Sequence, residues 1–161
     1  MFQITRRADY AVRIMVELGN RESDQPLPAR TVAQRTGVPQ PFLHKIVTAL
    51  VKEGLVSSFP GPNGGLKLNR PTDQINLRQI LEAVEGPLCV NVCLLRPGEC
   101  PRDITCPVHG FWGRLQTSIM QQLQDATLDK LIAEAQLLRQ SPSRPDIPYV
   151  YPTDSPPGEE S

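Results

Sequence analysis

Apolar positions recur at helical spacing near the start of the chain, where Tyr10, Ile14 and Leu18 stand four apart and Val12, Met15 and Val16 widen the face. They predict a first helix, ended by Gly19-Asn20. A polar stretch to Pro28 reads as a loop before a shorter helix from Arg30 to Arg35 and a turn at Thr36-Gly37-Val38-Pro39. A third helix starts near Gln40-Pro41, proline being tolerated in a first turn, and stops at Glu53-Gly54, with Leu43, Ile46, Val47 and Leu50 as its core stripe. Leu55 to Phe59 and Leu66 to Leu68 then read as two strands joined by the tight turn from Pro60 to Gly65. Residues 72–85 predict another helix, with Thr72 or Asp73 as cap, Leu77, Ile80, Leu81 and Val84 as stripe, and Gly86-Pro87 as stop. Past a loop-like segment from Leu88 to His109, Phe111, Leu115, Ile119 and Leu123 repeat every four residues. Leu128, Leu131, Ile132 and Ala135 continue the pattern, so one long amphipathic helix is expected.

Helix, helix, third helix and β-hairpin in that order predict a mainly α fold with a small β-wing: a winged helix-turn-helix followed by a long dimerisation helix. At 161 residues one core plus an appendage is expected. The divisions are a winged-helix DNA-binding domain over 1–85, a loop over 86–110, a dimerisation helix region over 111–140 and a disordered tail over 141–161, which holds six of the 17 prolines. A long helix projecting past a small DNA-binding domain pairs with its twin more often than it folds back, so a homodimer is expected. No apolar run approaches the ~20 residues that span a bilayer. The first residues carry no secretory pattern, and a cytoplasmic location without membrane contact is the expectation.

The zero net charge conceals an asymmetry. Residues 1–70 carry ten Lys or Arg against five Asp or Glu, and residues 71–161 carry seven against twelve. The basic half coincides with the winged helix, which points to double-stranded DNA, although winged helices also serve as protein-interaction modules. In a major-groove docking the first turns of the third helix face the base edges, so Gln40, Phe42, His44 and Lys45 are the reading candidates. Gln40 suits adenine, Phe42 a thymine methyl, and Lys45 guanine or phosphate. Asn63 and Gly64 lie where a wing meets the flanking backbone or minor groove. Thr31 near the start of the second helix offers a phosphate its hydroxyl, and a plain N-cap explains it as well.

All four cysteines, Cys89, Cys93, Cys100 and Cys106, fall in the segment between Leu88 and His109. The intervals of six and five residues between the last three are too long for a zinc knuckle built on paired C-x2-C hairpins. Thiolates spaced along a Gly/Pro-containing loop can wrap a multi-iron cluster, which is wider than one ion. Stable disulfides are disfavoured in a reducing compartment, and inert buried thiols are the plain alternative.

Tyr10-Ala11-Val12, Gly54-Leu55-Val56-Ser57-Ser58, Gly61-Pro62-Asn63-Gly64-Gly65 and the triplet Cys93, Cys100, Cys106 resemble the Rrf family of winged-helix iron-sulfur transcription regulators, which includes IscR-like and NsrR-like members. The resemblance runs from Met1 to about residue 135. It implies a transcription regulator, expected to be a repressor, that is a dimer with one iron-sulfur cluster per subunit on the loop before the dimer helix. Three cysteines require a fourth ligand. His109 stands where IscR-like members place a histidine, which favours 2Fe-2S over 4Fe-4S. Asp9 stands where NsrR-like members supply a carboxylate across the dimer, and Cys89 is an extra thiol whose plainer reading is a small buried side chain. IscR-like members carry a polar, acidic stretch where this chain has Pro41 to Lys45 and an arginine where it has Pro60, so their operator does not transfer.

Two other readings stay open. A zinc-stabilised or thiol-switched repressor would use Cys93, Cys100, Cys106 and His109 as a tetrahedral site or as redox thiols. A small iron-sulfur redox protein would use the same cysteines but gains nothing from a wing. No nucleophile-base constellation or cofactor fingerprint suggests an enzyme acting on a small-molecule substrate.

Overall fold

Thr5 starts the first helix, its hydroxyl accepting from the N–H of Ala8 at 3.3 Å, and α1 (Arg6–Gly19) runs until the Asn20 N–H closes back on Val16 O. Ala8, Ala11, Ile14, Met15 and Leu18 bury one face, joined by the flanks of Tyr10, Val12 and Val16. Fully buried Ile14 and Met15 each contribute about 1.5–3 kcal/mol by leaving water. The other helices gather around α1, which packs against α2 (Ala29–Thr36), α3 (Gln40–Lys52), α4 (Leu77–Glu85), α7 (Leu128–Gln140) and the second strand. The computed structural model describes residues 4–21 and 23–142. Met1 to Gln3, Glu22 and, beyond its first two residues, the expected Pro-rich tail lie outside the described residues.

The helix-turn-helix is α2 and α3, joined where Gly37 takes a left-handed φ of 70° that L side chains rarely adopt. Leu43, Ile46, Val47 and Leu50 of α3 are buried as the stripe predicts, against α1, α4 and β1 (Val56–Phe59). β1 pairs antiparallel with β2 (Gly65–Leu68), from Val56 opposite Leu68 to Phe59 opposite Gly65. The segment before α2 adds a third edge: Leu27 and Leu66 exchange backbone hydrogen bonds of 2.9 and 2.8 Å. Gly65 is needed there because a Cβ would stand 2.3 Å from Leu27 O.

The fourth predicted helix begins later than expected. Thr72–Gln74 form a short 3-10 turn, Ile75 is extended, and the cap of α4 is Asn76, which with Gln79 makes a reciprocal capping box, in place of Thr72 or Asp73.

The expected single long helix is two. α6 (His109–Asp125) ends at Ala126, and α7 folds back onto α1 and the 3-10 turn. The break is held by backbone bonds to the strand-like segment before α4, Leu77 N–H to Ala126 O at 2.9 Å and Leu128 N–H to Ile75 O at 2.7 Å. Leu128 and Ile132 enter the common core, so the C-terminal part of 111–140 does not stand apart from the N-terminal domain. α6 packs on α4 and on the short α5 (Val92–Leu95). Met120 is its one buried residue, Phe111 is 51% exposed, and Trp112, Leu115 and Ile119 are half-buried. No helix among the described residues is long and apolar enough to cross a membrane.

Candidate functional site

Two regions carry the candidate residues: the open face of α3 with the wing, and the loop between α4 and α6.

On the first, Gln40, His44 and Lys45 are exposed, and Phe42 is 47% exposed while its ring stands edge-on to Tyr10 at 5.8 Å. That contact ties the start of α3 to α1, and the Arg13 guanidinium covers Tyr10 at 5.7 Å. Arg7 joins Phe42, Lys45, Ile46 and Thr48 around a shallow hollow, placing a second cation beside Lys45 that the helical pattern of α1 gave no reason to single out. In the wing Asn63 is exposed. Gly64 is half-buried, and a Cβ there would stand 2.1 Å from Phe59 O, so the turn itself requires glycine. Thr31 is not an N-cap: Pro28 holds that position without a side-chain bond, and Thr31 lies half-buried in the first turn with its N–H on Pro28 O at 2.9 Å.

The second region leaves α4 at Gly86, which has a φ of 81°. Gln116 of α6 fastens its first residues, accepting from Val90 N–H and donating to Leu88 O, both at 2.8 Å. Asn91 caps α5 by accepting from Cys93 N–H at 3.4 Å. The farther part of the loop is folded around Asp103. Its Oδ2 accepts from Gly98 N–H at 2.8 Å, and its Oδ1 stands 2.8 Å from Nδ1 of His109, the first residue of α6. That approach is not aligned as a hydrogen bond, so Oδ1 remains a buried acceptor without one.

Cys93 and Cys106 are half-buried and Cys100 is exposed. Partial burial first, then the charges of Asp103, Cys100 and Cys106, push the Cys93 thiol above its ordinary value. Three thiols and a carboxylate therefore feel one another across the loop. Two other residues named from the sequence are elsewhere in this chain. The Cys89 thiol donates to Asn91 O at 2.8 Å, and Asp9 pairs with Arg13 at 2.7 Å on the exposed side of α1. Among the described residues, no three His, Cys, Asp or Glu side chains are grouped closely enough to hold a single metal ion.

Sequence reasoning passed over Asp103, Gln116 and Glu85. Glu85, the last residue of α4, accepts a hydrogen bond from the hydroxyl of Thr5, the cap of α1. An acidic residue six positions before a histidine inside a cysteine loop was the one available signal for Asp103.

Comparison with known proteins gives a consistent result. The chain is 29% identical over 136 residues to the HTH-type transcriptional regulator IscR of Pectobacterium carotovorum subsp. carotovorum (strain PC1), covering 84% of this chain and 82% of that one. The structure of CymR (YrzC), the global cysteine regulator of B. subtilis, superposes with a TM-score of 0.67 at 27% identity, over 83% of this chain and 98% of that one. T. potens IscR shares the fold, with a TM-score of 0.67 at 23% identity over 89% and 93% of the two chains. These relatives are transcription regulators rather than enzymes. The family model Rrf2, described as an iron-dependent transcriptional regulator, matches residues 4–134, and with its mainly helical winged-helix fold the chain belongs to that family.

Proposed function

We propose that the chain works as a homodimeric DNA-binding repressor governed by an iron-sulfur cluster on Cys93, Cys100 and Cys106, with His109 as the fourth ligand and 2Fe-2S as the cluster type. The observation that carries this reading is the loop itself, where three thiols, Asp103 and His109 share one electrostatic environment between α4 and α6. Ionised thiolates and a carboxylate repel one another, and a cationic group among them relieves that repulsion. Asp103 Oδ1, buried and without an aligned hydrogen bond, faces His109 Nδ1 at 2.8 Å, so the carboxylate and the imidazole lie side by side in the loop. The intervals of six and five residues between the three cysteines are too long for a zinc knuckle of paired C-x2-C hairpins and leave room for a wider multi-iron group.

When bound, the cluster supplies a centre that gains or loses electrons and iron. The protein's part is mechanical and electrostatic. Gln116 of α6 fastens the loop's first residues, and Glu85, just before them at the end of α4, is bonded to the cap of α1. α1 in turn touches the start of the recognition helix through Tyr10 and Phe42. On DNA, the first turns of α3 present Gln40, Phe42, His44 and Lys45 to base edges and phosphate. Asn63 and Gly64 bring the wing to the flanking backbone, and Thr31 and the start of α2 face a phosphate. The apolar side of α6, with Phe111 half exposed, is covered by a second copy.

Anaerobic purification followed by an absorption spectrum tests the reading. Visible bands that vanish in Cys93→Ala, Cys100→Ala and Cys106→Ala but persist in Cys89→Ala support it. A colourless chain that binds zinc, or none of these metals, overturns it. Retention of the bands in His109→Ala with loss in Asp9→Ala transfers the fourth ligand across the dimer.

A further inference from the structure

We propose that Asp103 is the positioning residue for the fourth ligand: its carboxylate holds His109 by Nδ1, so that Nε2 is the nitrogen turned to the cluster. The inference rests on the cluster reading above and concerns a residue that none of the cysteine spacing involves.

Asp103 is placed for this role by both of its oxygens. Oδ2 is committed to Gly98 N–H at 2.8 Å, which pins the carboxylate to the stretch between Cys93 and Cys100. The backbone N–H of Asp103 itself bonds to Cys100 O at 3.0 Å, so the residue is fastened from both sides. Oδ1, buried and without a hydrogen bond, has His109 Nδ1 at 2.8 Å as its partner. The Asp103 side chain is 16% exposed and that of His109 35%, so the carboxylate is the more enclosed and the imidazole the more accessible of the two. An imidazole has two nitrogens, and whichever is occupied by a carboxylate leaves the other as the lone-pair donor. With Nδ1 held by Asp103, only Nε2 is free to bind.

Asp103 also contributes to the surroundings of Cys93, where its negative charge is the largest electrostatic influence on the thiol. A carboxylate ligand is the competing role, but one oxygen is bonded to Gly98 N–H and the other is buried facing His109 Nδ1 at 2.8 Å.

The test uses the full chain. In the cluster-free protein, nitrogen NMR of the imidazole reports the tautomer: wild type is expected to carry its proton on Nδ1, and Asp103→Asn, which keeps an acceptor for Gly98 but loses the charge, to shift toward the Nε2–H form. In the reconstituted protein, Asp103→Asn is expected to lose its cluster about tenfold faster, as typical for removing the partner of a metal-bound histidine. Pulsed EPR of the reduced, 15N-histidine-labelled cluster should then show two sets of imidazole couplings, from Nε2-bound and Nδ1-bound populations, in place of one set, and Asp103→Glu should restore much of the lifetime. A double-mutant cycle with His109→Cys separates the roles, since without the imidazole Asp103→Asn should lose most of its effect and keep only the part exerted through Cys93 and Gly98. An unchanged tautomer in Asp103→Asn, or an equal loss of cluster in the His109→Cys background, overturns the inference while leaving the cluster reading intact. A wild-type chain that takes up no cluster overturns the cluster reading, and the tautomer measurement still decides what Asp103 does to His109.

Discussion

Glu17 is the single charged residue of α1 that the core encloses, and removing its main partner should be measurable well beyond the effect of a surface ion pair. The carboxylate meets Arg35 of α2 at 3.0 Å and Arg139 of α7 at 3.8 Å. Its side chain is 11% exposed, whereas those of Arg35 and Arg139 are 55% and 59% exposed. Exposed pairs contribute about 0–1 kcal/mol, and breaking a fully buried pair costs about 3–5 kcal/mol because a charge is stranded. Here the anion is enclosed while both cations reach solvent, so Arg35→Ala should cost about 2 kcal/mol, between those limits. For a chain of this size that corresponds to a fall in Tm of roughly 4–8 °C. Glu17→Gln should be milder, because its amide is not a stranded charge. Urea unfolding at fixed protein concentration for wild type, Arg35→Ala, Glu17→Gln and the double variant gives the coupling directly, expected near 1 kcal/mol. A coupling within about 0.3 kcal/mol of zero would refute the reasoning, since residues in direct contact should not be additive.

Lys45→Ala should weaken binding about equally across DNA sequences and reduce the salt slope by about 1, read by fluorescence anisotropy at several salt concentrations; a loss confined to one base position would point to base reading instead. Leu128→Ala removes a fully buried side chain at the start of α7 and should cost about 2–5 kcal/mol in urea unfolding. Gly65→Ala drives a Cβ to 2.3 Å from Leu27 O, so amide exchange at Leu27 and Leu66 should accelerate; retained protection there would count against the shared edge. The Asp129 carboxyl is held below its ordinary value of 3.8, first by a hydrogen bond from Thr127. Its stabilisation of the α7 start is therefore present above that pH and lost as the pH falls through the lower folded value. The helical signal of α7 should fray in that acid window for wild type, and Asp129→Asn should flatten the dependence.

Much of the fold was legible because periodicity reports burial directly: the stripe Leu43, Ile46, Val47, Leu50 is buried to the residue, and Gly37 marks the turn its φ requires. The break between α6 and α7 was not, because Ala126 and Thr127 are weak punctuation and the apolar spacing continues through them. The cause is tertiary: backbone bonds from the Ile75 to Leu77 segment replace the helical ones at that point. A local clue existed in Thr127 followed by Asp129, the residue types of a helix start. The start of α4 was hidden in a similar way, because Thr72 and Asp73 have the chemistry of caps but belong to the 3-10 turn before it. The cysteine spacing pointed to the loop, yet spacing carries no information on which acidic residue sits among the thiols. Asp103 is visible only once Gly98 and His109 are brought to opposite oxygens of its carboxylate.

α1 lies between the cysteine loop and the helix-turn-helix of this chain. One root of the cysteine loop is the end of α4, bonded through Glu85 to the Thr5 cap of α1. The other root is α6, whose successor α7 lies along α1 and reaches Glu17 through Arg139 and Asn20 through Gln136 at 2.6 Å. The same helix packs its Tyr10 ring on Phe42 at the start of α3 and pairs Glu17 with Arg35 of α2. Close-packed interiors yield by discrete rearrangement rather than by continuous deformation. The α4 root of the loop, α7 and both helices of the helix-turn-helix therefore all bear on α1, so a displacement at the α4 root acts on the element that packs against α2 and α3.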